Sequence, residues 1–171
     1  MILPFSTQLN GKPTYFVEKI LRCFLNEYSG KVEGIGDFIY ESGEVLSYQY
    51  ADDILNEIEH KVKPKLHTIR EDKNDRWKPA VMIDFFINAR QKNMFRFAPR
   101  IPVVSTQKVR IVVDKHYFMN DYQIFIDERE LNLDEKVQFS HNDGFSNLFA
   151  FFLYFNKDYT GKLIHWTDKR Y

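Results

Sequence analysis

Residues 63–72 read Lys-Pro-Lys-Leu-His-Thr-Ile-Arg-Glu-Asp, a short stretch crowded with groups that can act on an anion or an acyl group. Pro64 disfavours a helix running in from the residues before it. The stretch therefore predicts a strand. Because side chains alternate along a strand, Thr68 and Arg70 would share one face while His67 lies on the other. We expect the rest of the chain to be organised around this stretch.

A loop and a second strand are predicted directly after this stretch. Glu71 to Asp75 is a run of polar residues, which is typical of a turn or loop. Residues 76–78 read Arg-Trp-Lys and set an aromatic ring between two cations. Residues 81–87 are apolar except for Asp84, and they predict a buried strand.

Strands and helices are mixed along the rest of the chain. Strands are predicted over residues 1–9, 103–113, 122–127 and 161–166, and helices over 13–26, 48–61, 132–141 and 146–156. Ser146 is the expected cap of the last helix. Several strands separated by turns, with helices at the beginning and near the end, predict an α+β fold. The residues alone leave open whether the sheet closes into a barrel or stays open.

Composition indicates one folded domain. The chain has 171 residues, of which 44% are apolar and 16% are aromatic, enough to bury a core. The single cysteine, Cys23, lies in an apolar helical pattern and is predicted to be a buried, inert thiol. The first residues lack the pattern of a signal peptide, and the aromatic run at 145–155 is too short to cross a bilayer. We therefore expect a cytoplasmic protein without a membrane segment.

Charge is unevenly distributed although the net charge is zero. Residues 61–110 contain 13 Lys or Arg and only 4 Asp or Glu, and the rest of the chain carries the matching acidic surplus. If the fold gathers these cations on one surface, an anionic ligand such as a nucleotide or a nucleic acid is favoured. The alternative is that strands scatter the cations and that acidic segments cover them.

The histidines predict no metal site. His60 and His67 are separated by Pro64, and His116, His141 and His165 are isolated in the sequence. Without cysteine partners or paired ligand spacing, zinc is disfavoured. No cofactor is expected either.

Three motifs in order resemble the ASCH family, a branch of the PUA-like β-barrels. Lys65-x-x-Thr68-x-Arg70 is similar to the core of that family, and residues 15–21 are similar to its opening helix. Residues 142–145, Asn-Asp-Gly-Phe, followed by a Phe-rich helix, resemble its acidic-Gly-Phe signature. The resemblance implies a single domain over residues 1–171, namely a PUA-like β-barrel with flanking helices. Residues 26–60 would then be an inserted loop and helix segment.

Some small ASCH proteins are amidohydrolases that remove the acetyl group from acetylated cytidine with Lys, Thr and Glu. The matching positions here are Lys65, Thr68 and Asp143, with Asp in place of Glu. In such a site the threonine is the nucleophile, the lysine is its base, and the carboxylate moves the proton to the leaving group. A regular strand sends Lys65 and Thr68 to opposite faces, so a bulge or the start of the strand would have to bring them together.

The first functional expectation is RNA or nucleotide binding in a cleft lined by Lys65, Thr68, Arg70 and Asp143. The side chains expected to contact the ligand are Lys65, His67, Arg70, Arg76, Trp77, Lys78 and Arg90. Trp77 could stack on a base, or it could pack inside the barrel. Arg70 could bind the ligand, or it could form a structural ion pair with Asp143 or Asp84.

Two alternatives stay open beside RNA binding. One is an amidohydrolase that acts on a modified, acetylated pyrimidine nucleoside, so enzymatic activity is undecided at this point. The other is a protein-interaction module in which residues 26–60 bind a protein partner.

Overall fold

The computed structural model of the protein describes residues 1–28, 62–114 and 121–171. These residues form two compact units. The first unit takes in residues 1–65 and 81–102, and the second takes in residues 66–80 and 103–171. The predicted helix over 48–61 and almost all of the predicted insertion at 26–60 lie outside the described residues.

In chain order the elements are β1 (Ile2–Phe5), β2 (Gln8–Leu9), β3 (Lys12–Pro13), α1 (Phe16–Tyr28), β4 (His67–Arg70), β5 (Met82–Ile87), β6 (Phe95–Arg96), β7 (Ile101–Pro102), β8 (Ser105–Asp114), β9 (Asp121–Ile126), β10 (Arg129–Glu130), α2 (Leu133–Asn142), α3 (Leu148–Tyr154) and β11 (Tyr159–His165).

The first unit is built on a small mixed sheet. Strand β5 pairs in parallel with β1 and antiparallel with β6 and β7. Alternate residues of the two longer strands are buried: Leu3 and Phe5 on β1, and Ile83, Phe85 and Ile87 on β5. The apolar stripe of α1 contributes to the same core, with the ring of Phe24 edge-on to that of Phe85 at 5.2 Å. Cys23 on this helix is buried, as its apolar setting predicted.

The second unit is built on a five-stranded sheet in the order β10-β9-β8-β11-β4, and every neighbouring pair is antiparallel. Ile69, Val109 and Leu163 lie on its apolar face and belong to one buried cluster with Phe139 of α2 and Phe151 of α3. Burial of this face fixes the register of the strands, because a slip by one residue would move every buried side chain to the opposite face of the sheet.

The α+β prediction is confirmed for the described residues, in which none of the sheets closes into a barrel. The PUA-like barrel is therefore not confirmed. The cap of α3 differs from the prediction, since it is Asn147 and not Ser146 whose side chain accepts the backbone N–H of Ala150. Asn147 lies immediately before the first helical residue, which is the position from which a short side chain reaches that N–H. None of the described helices is both long enough and apolar enough to cross a membrane.

Substituting Gly161→Ala tests the packing of β11 between its two neighbours. A Cβ at this position would lie 2.8 Å from the carbonyl oxygen of Arg70 and 2.7 Å from the ring of Tyr159. Because backbone must move to make room, we expect Gly161→Ala to lower the free energy of unfolding by about 1–3 kcal/mol. Urea unfolding measures this. Thr160→Ala, at the exposed neighbouring position, is the control and should cost less than about 1 kcal/mol; equal losses would contradict the steric account.

Candidate functional site

The residues of the Lys-x-x-Thr motif are nearly fully buried. Lys65 is 1% exposed and belongs to the first unit, where its N–H donates to the carbonyl of Lys19 and its Nζ lies 4.8 Å from the ring centroid of Phe16. Thr68 is 2% exposed and belongs to the second unit, on β4. The predicted convergence of Lys65, Thr68 and Asp143 on one cleft stays a prediction.

The second unit contains a buried pair of histidines that sequence reasoning did not bring together. Strand β11 pairs antiparallel with β4 so that His165 lies opposite His67, and on its other side opposite Ser105 of β8. Both imidazoles are 0% exposed and their ring centroids are 5.4 Å apart. The histidine described above as isolated therefore has a histidine neighbour, because strand pairing joins residues that are distant in the sequence.

His67 is the centre of a hydrogen-bonded chain. The amide of Asn142 donates to the hydroxyl of Tyr171, and that oxygen is 2.7 Å from Nε2 of His67. Since the hydroxyl accepts from Asn142, its own proton is directed at Nε2, and the imidazole proton then belongs on Nδ1. Nδ1 lies 3.5 Å from Oδ1 of Asp143. Asp143 is thus beside His67, whereas Thr68 projects to the opposite face of β4.

His165 is held neutral by its surroundings. Among the described residues, neither of its ring nitrogens has a hydrogen-bond partner, and the hydroxyl of Ser105 also has none. Burial lowers the pKa of His165 to about 3, and the positive charges of His67, Arg170 and Lys169 act in the same direction. An imidazole with such a pKa stays uncharged throughout the physiological range.

This arrangement can share a proton between Tyr171 and His67, with the carboxylate of Asp143 3.5 Å from the other imidazole nitrogen. Burial raises the pKa of the Tyr171 hydroxyl, so it serves as a hydrogen-bond donor and not as an anion. Among the residues in the three described ranges, no three or more His, Cys, Asp or Glu side chains are grouped in a way that could hold a metal ion.

Arg70, at the end of β4, turns back toward its own strand. Its Nη1 donates to the carbonyl of Ile69 at 2.9 Å. Burial lowers the pKa of Arg70, while the negative charge of Asp143 and the hydroxyls of Tyr154 and Tyr159 act in the opposite direction. Arg70 and Asp143 therefore interact electrostatically within the second unit, as the structural ion-pair alternative requires.

Carboxylates contact backbone N–H groups and lysine side chains in and around the loop after β4. Asp72 accepts the N–H groups of Arg76 and Trp77, both at 2.9 Å, and pairs with Lys162 at 3.0 Å. Lys162 also pairs with Asp75, as does Lys78 at 3.2 Å. The ring of Trp77 is only 5% exposed, which favours packing over base stacking for this residue.

Arg90 lies at the tip of the hairpin that joins β5 to β6 in the first unit. The hairpin loop is closed by backbone hydrogen bonds from Gln91 to Asn88 and from Met94 to Gln91. Asn88 and Arg90 both have positive φ angles, 52° and 68°, so the tip is a tight turn. Its side chains at 90–93 are exposed.

Counted over their full sequence ranges both units are neutral, with 11 basic and 11 acidic residues in the first and 13 of each in the second, but among the described residues positive charge accumulates in the first unit. The described residues of the first unit contain nine Lys or Arg and three Asp or Glu. Glu18 and Asp84 are 4% and 8% exposed, which leaves Glu27 as the exposed acid among the residues described there. The described part of the second unit contains 12 basic and 13 acidic residues, many of them paired.

Comparison of the chain with protein-family models, with curated proteins and with solved structures finds no match. The resemblance to the ASCH family therefore rests on the three sequence motifs.

The buried histidine predicts a specific dependence of stability on pH. The pKa of His165 is about 3 in the folded chain and near 6.5 when unfolded, so between these values the unfolded chain binds a proton that the folded chain does not. The free energy of unfolding should have its full value above about pH 6.5. Below that pH it should fall by up to about 1.4 kcal/mol per pH unit.

Urea unfolding from about pH 7 down to pH 4.5 measures this slope. His165→Phe should reduce it, because the variant has no imidazole to protonate at this position. The control, His141→Gln on the partly exposed side of α2, should keep the slope of the original chain. The account is wrong if His165→Phe and the original chain lose stability in parallel.

Proposed function

We propose that the protein binds RNA or a nucleotide, and that it does so as a PUA-like domain of the ASCH type. The observation that carries the binding proposal is the surplus of exposed positive charge among the described residues of the first unit. The three ordered motifs support the family assignment and the barrel that it implies.

Residues 29–61 of the first unit carry eight Asp or Glu and two Lys or Arg, whereas among the described residues of this unit acids are fewer than cations. The exposed or partly exposed cations described there are Lys12, Lys19, Arg22, Lys63, Arg90, Lys92, Arg96 and Arg100. Such a surplus attracts polyanions and concentrates them near the surface. In the second unit Lys73 and Lys78 of the loop at 71–78 are paired with carboxylates, whereas the side chain of Arg76 is exposed. Of the residues expected to contact the ligand, Arg90 is the one that lies among these cations of the first unit.

Affinity measured against salt concentration tests the proposal. Binding of a single-stranded RNA of about 12 nucleotides should weaken at least tenfold between about 50 and 200 mM salt, because phosphate contacts release counterions. Replacing Arg90 and Lys92 together by Gln should weaken binding and make the salt dependence shallower. Replacing Lys157 and Arg170, exposed cations of the second unit, should change little. Absence of binding at low salt would refute the proposal.

A second candidate is the amidohydrolase acting on an acetylated pyrimidine nucleoside. The observation that favours it is the burial of all three matching residues, since Lys65, Thr68 and Asp143 are 1%, 2% and 4% exposed. Lysine is rarely buried in this way, and a desolvated lysine is suited to act as a base toward a hydroxyl. The third possibility, a protein partner bound through residues 26–60, concerns residues almost all outside the described ranges.

An assay of N4-acetylcytidine hydrolysis tests the second candidate. The acetate that is released measures the turnover. Thr68→Val should abolish turnover because it removes the nucleophilic hydroxyl while keeping the shape of the side chain. Thr106→Val is the control, since Thr106 lies across β11 from Thr68, with Ile164 between them. Turnover that survives Thr68→Val, or no turnover by the original chain, would exclude this candidate.

A further inference from the structure

The sheet of the first unit has an outer face whose composition is unusual. Because alternate residues of β1 and β5 are buried, their neighbours project to the other side of the sheet. We define the outer face as the residues that strand register places on this side of the sheet: Ile2, Pro4, Met82, Asp84, Phe86, Arg96 and Pro102. Ile2 is 50% exposed and Met82 is 40% exposed.

The apolar part of the outer face lies beside arginines. Phe86, which is partly exposed, pairs across the strands with Arg96 on one side and with Pro4 on the other. The side chain of Arg96 is 41% exposed. An exposed sheet face usually carries polar side chains, so a centre of Ile, Met and Phe bordered by arginine indicates a surface that contacts a ligand.

Asp84 lies beside both arginines. Its Oδ1 accepts from Nε of Arg100 at 2.7 Å and lies 3.9 Å from Nη1 of Arg96. Burial raises the pKa of Asp84, but the hydrogen bonds from Arg100 and the Met1 amino group outweigh burial, and the pKa lies below its ordinary value. A single carboxylate thus holds two guanidinium groups, and the side chain of Arg100 keeps 54% of its surface exposed.

The β5–β6 hairpin continues the positive charge beyond this face. The chain leaves β5 one residue after Phe86, and its next exposed cations are Arg90 and Lys92 at the tip. Arg100, Arg96 and the hairpin tip therefore form a basic border along one side of an apolar strip. The border and the strip belong to the same unit.

We infer that the outer face binds single-stranded nucleic acid, with bases against Phe86 and Met82 and phosphates along the basic border; this inference rests on the proposed function. Stacking of bases on aromatic side chains, combined with cations that follow the backbone, is the mode by which single strands are bound. In a duplex the faces of the bases are covered by their neighbours, so the apolar strip would have nothing to contact. Arginine also suits phosphate because its planar fork donates two parallel hydrogen bonds.

Fluorescence anisotropy with the full chain tests this inference. The probes are a labelled single-stranded RNA of about 12 nucleotides, the DNA of the same sequence, and the RNA annealed to its complement. We expect both single strands to bind at least about fivefold more tightly than the duplex, since one stacked base contributes about that much or more. A difference between the RNA and DNA arms would report contacts to the 2′-hydroxyl.

Two variants of the outer face and two matched controls locate the binding. Phe86→Leu should weaken single-strand binding at least about fivefold, and the double variant Arg96→Gln with Arg100→Gln at least about tenfold. Phe149→Leu, which changes a 72% exposed ring on α3, and Lys157→Gln with Arg170→Gln should each change binding less than about twofold. Circular dichroism shows whether each variant is folded. If Phe86→Leu does not fold, the arginine variant alone tests the binding surface.

The outcomes separate this inference from the proposed function. If the original chain binds RNA but the outer-face variants behave like their controls, or if the duplex binds as tightly as the single strand, the outer face is not the binding surface. If the original chain binds no nucleic acid at low salt, the proposed function itself fails.

Discussion

Side chains alternate along a strand, so burying one face of a sheet decides which residues the other face presents. In the first unit the burial of Phe85 and Ile87 on β5 leaves Phe86 between them on the outer face. In the second unit Ile69 and Leu163 are buried in the apolar cluster. The residues two positions away, His67 and His165, are carried to the same face. Both units depend on this constraint.

The two units consequently differ in what they contribute. In the second unit two imidazoles occupy the interior: His67 has a hydroxyl partner, Tyr171, whereas His165 has no hydrogen-bond partner among the described residues. Buried polar atoms without partners lower stability, so Ser105 and His165 reduce the stability of this unit. The described residues of the first unit instead concentrate positive charge. Binding of a polyanion is therefore expected at the first unit, while the dependence of stability on pH is expected from the second.

Much of the fold could be predicted because it depends on local patterns. The apolar run at 81–87 predicted β5, and the apolar stripe within 13–26 predicted α1, although the helix begins only at Phe16. The α3 cap was predicted one residue too early because Ser146 and Asn147 are both good capping residues. Such choices depend on where the backbone becomes helical, which local sequence specifies only to within a residue or two.

The site was harder to predict because it depends on pairing between distant strands. No local signal joins His165 to His67, and only the antiparallel register of β11 with β4 does so. One clue was available, since each histidine lies two residues from a buried aliphatic residue and therefore on the buried face. The charge surplus was visible in the sequence, but its division between the units was not. The cations at 73–78 join the second unit, whereas Arg90, Lys92 and Arg100 join the first.

The most direct test of the central claim is to map RNA binding residue by residue with amide chemical shifts. On titration with a single-stranded RNA, the largest changes should occur in β5, β6, the hairpin loop at 88–94 and Arg100. Changes in the loop at 71–78 should be smaller, because Lys73 and Lys78 are already paired with carboxylates of the second unit. If the largest changes fall at 71–78 and the outer face is unaffected, the assignment of nucleic-acid binding to the first unit is wrong.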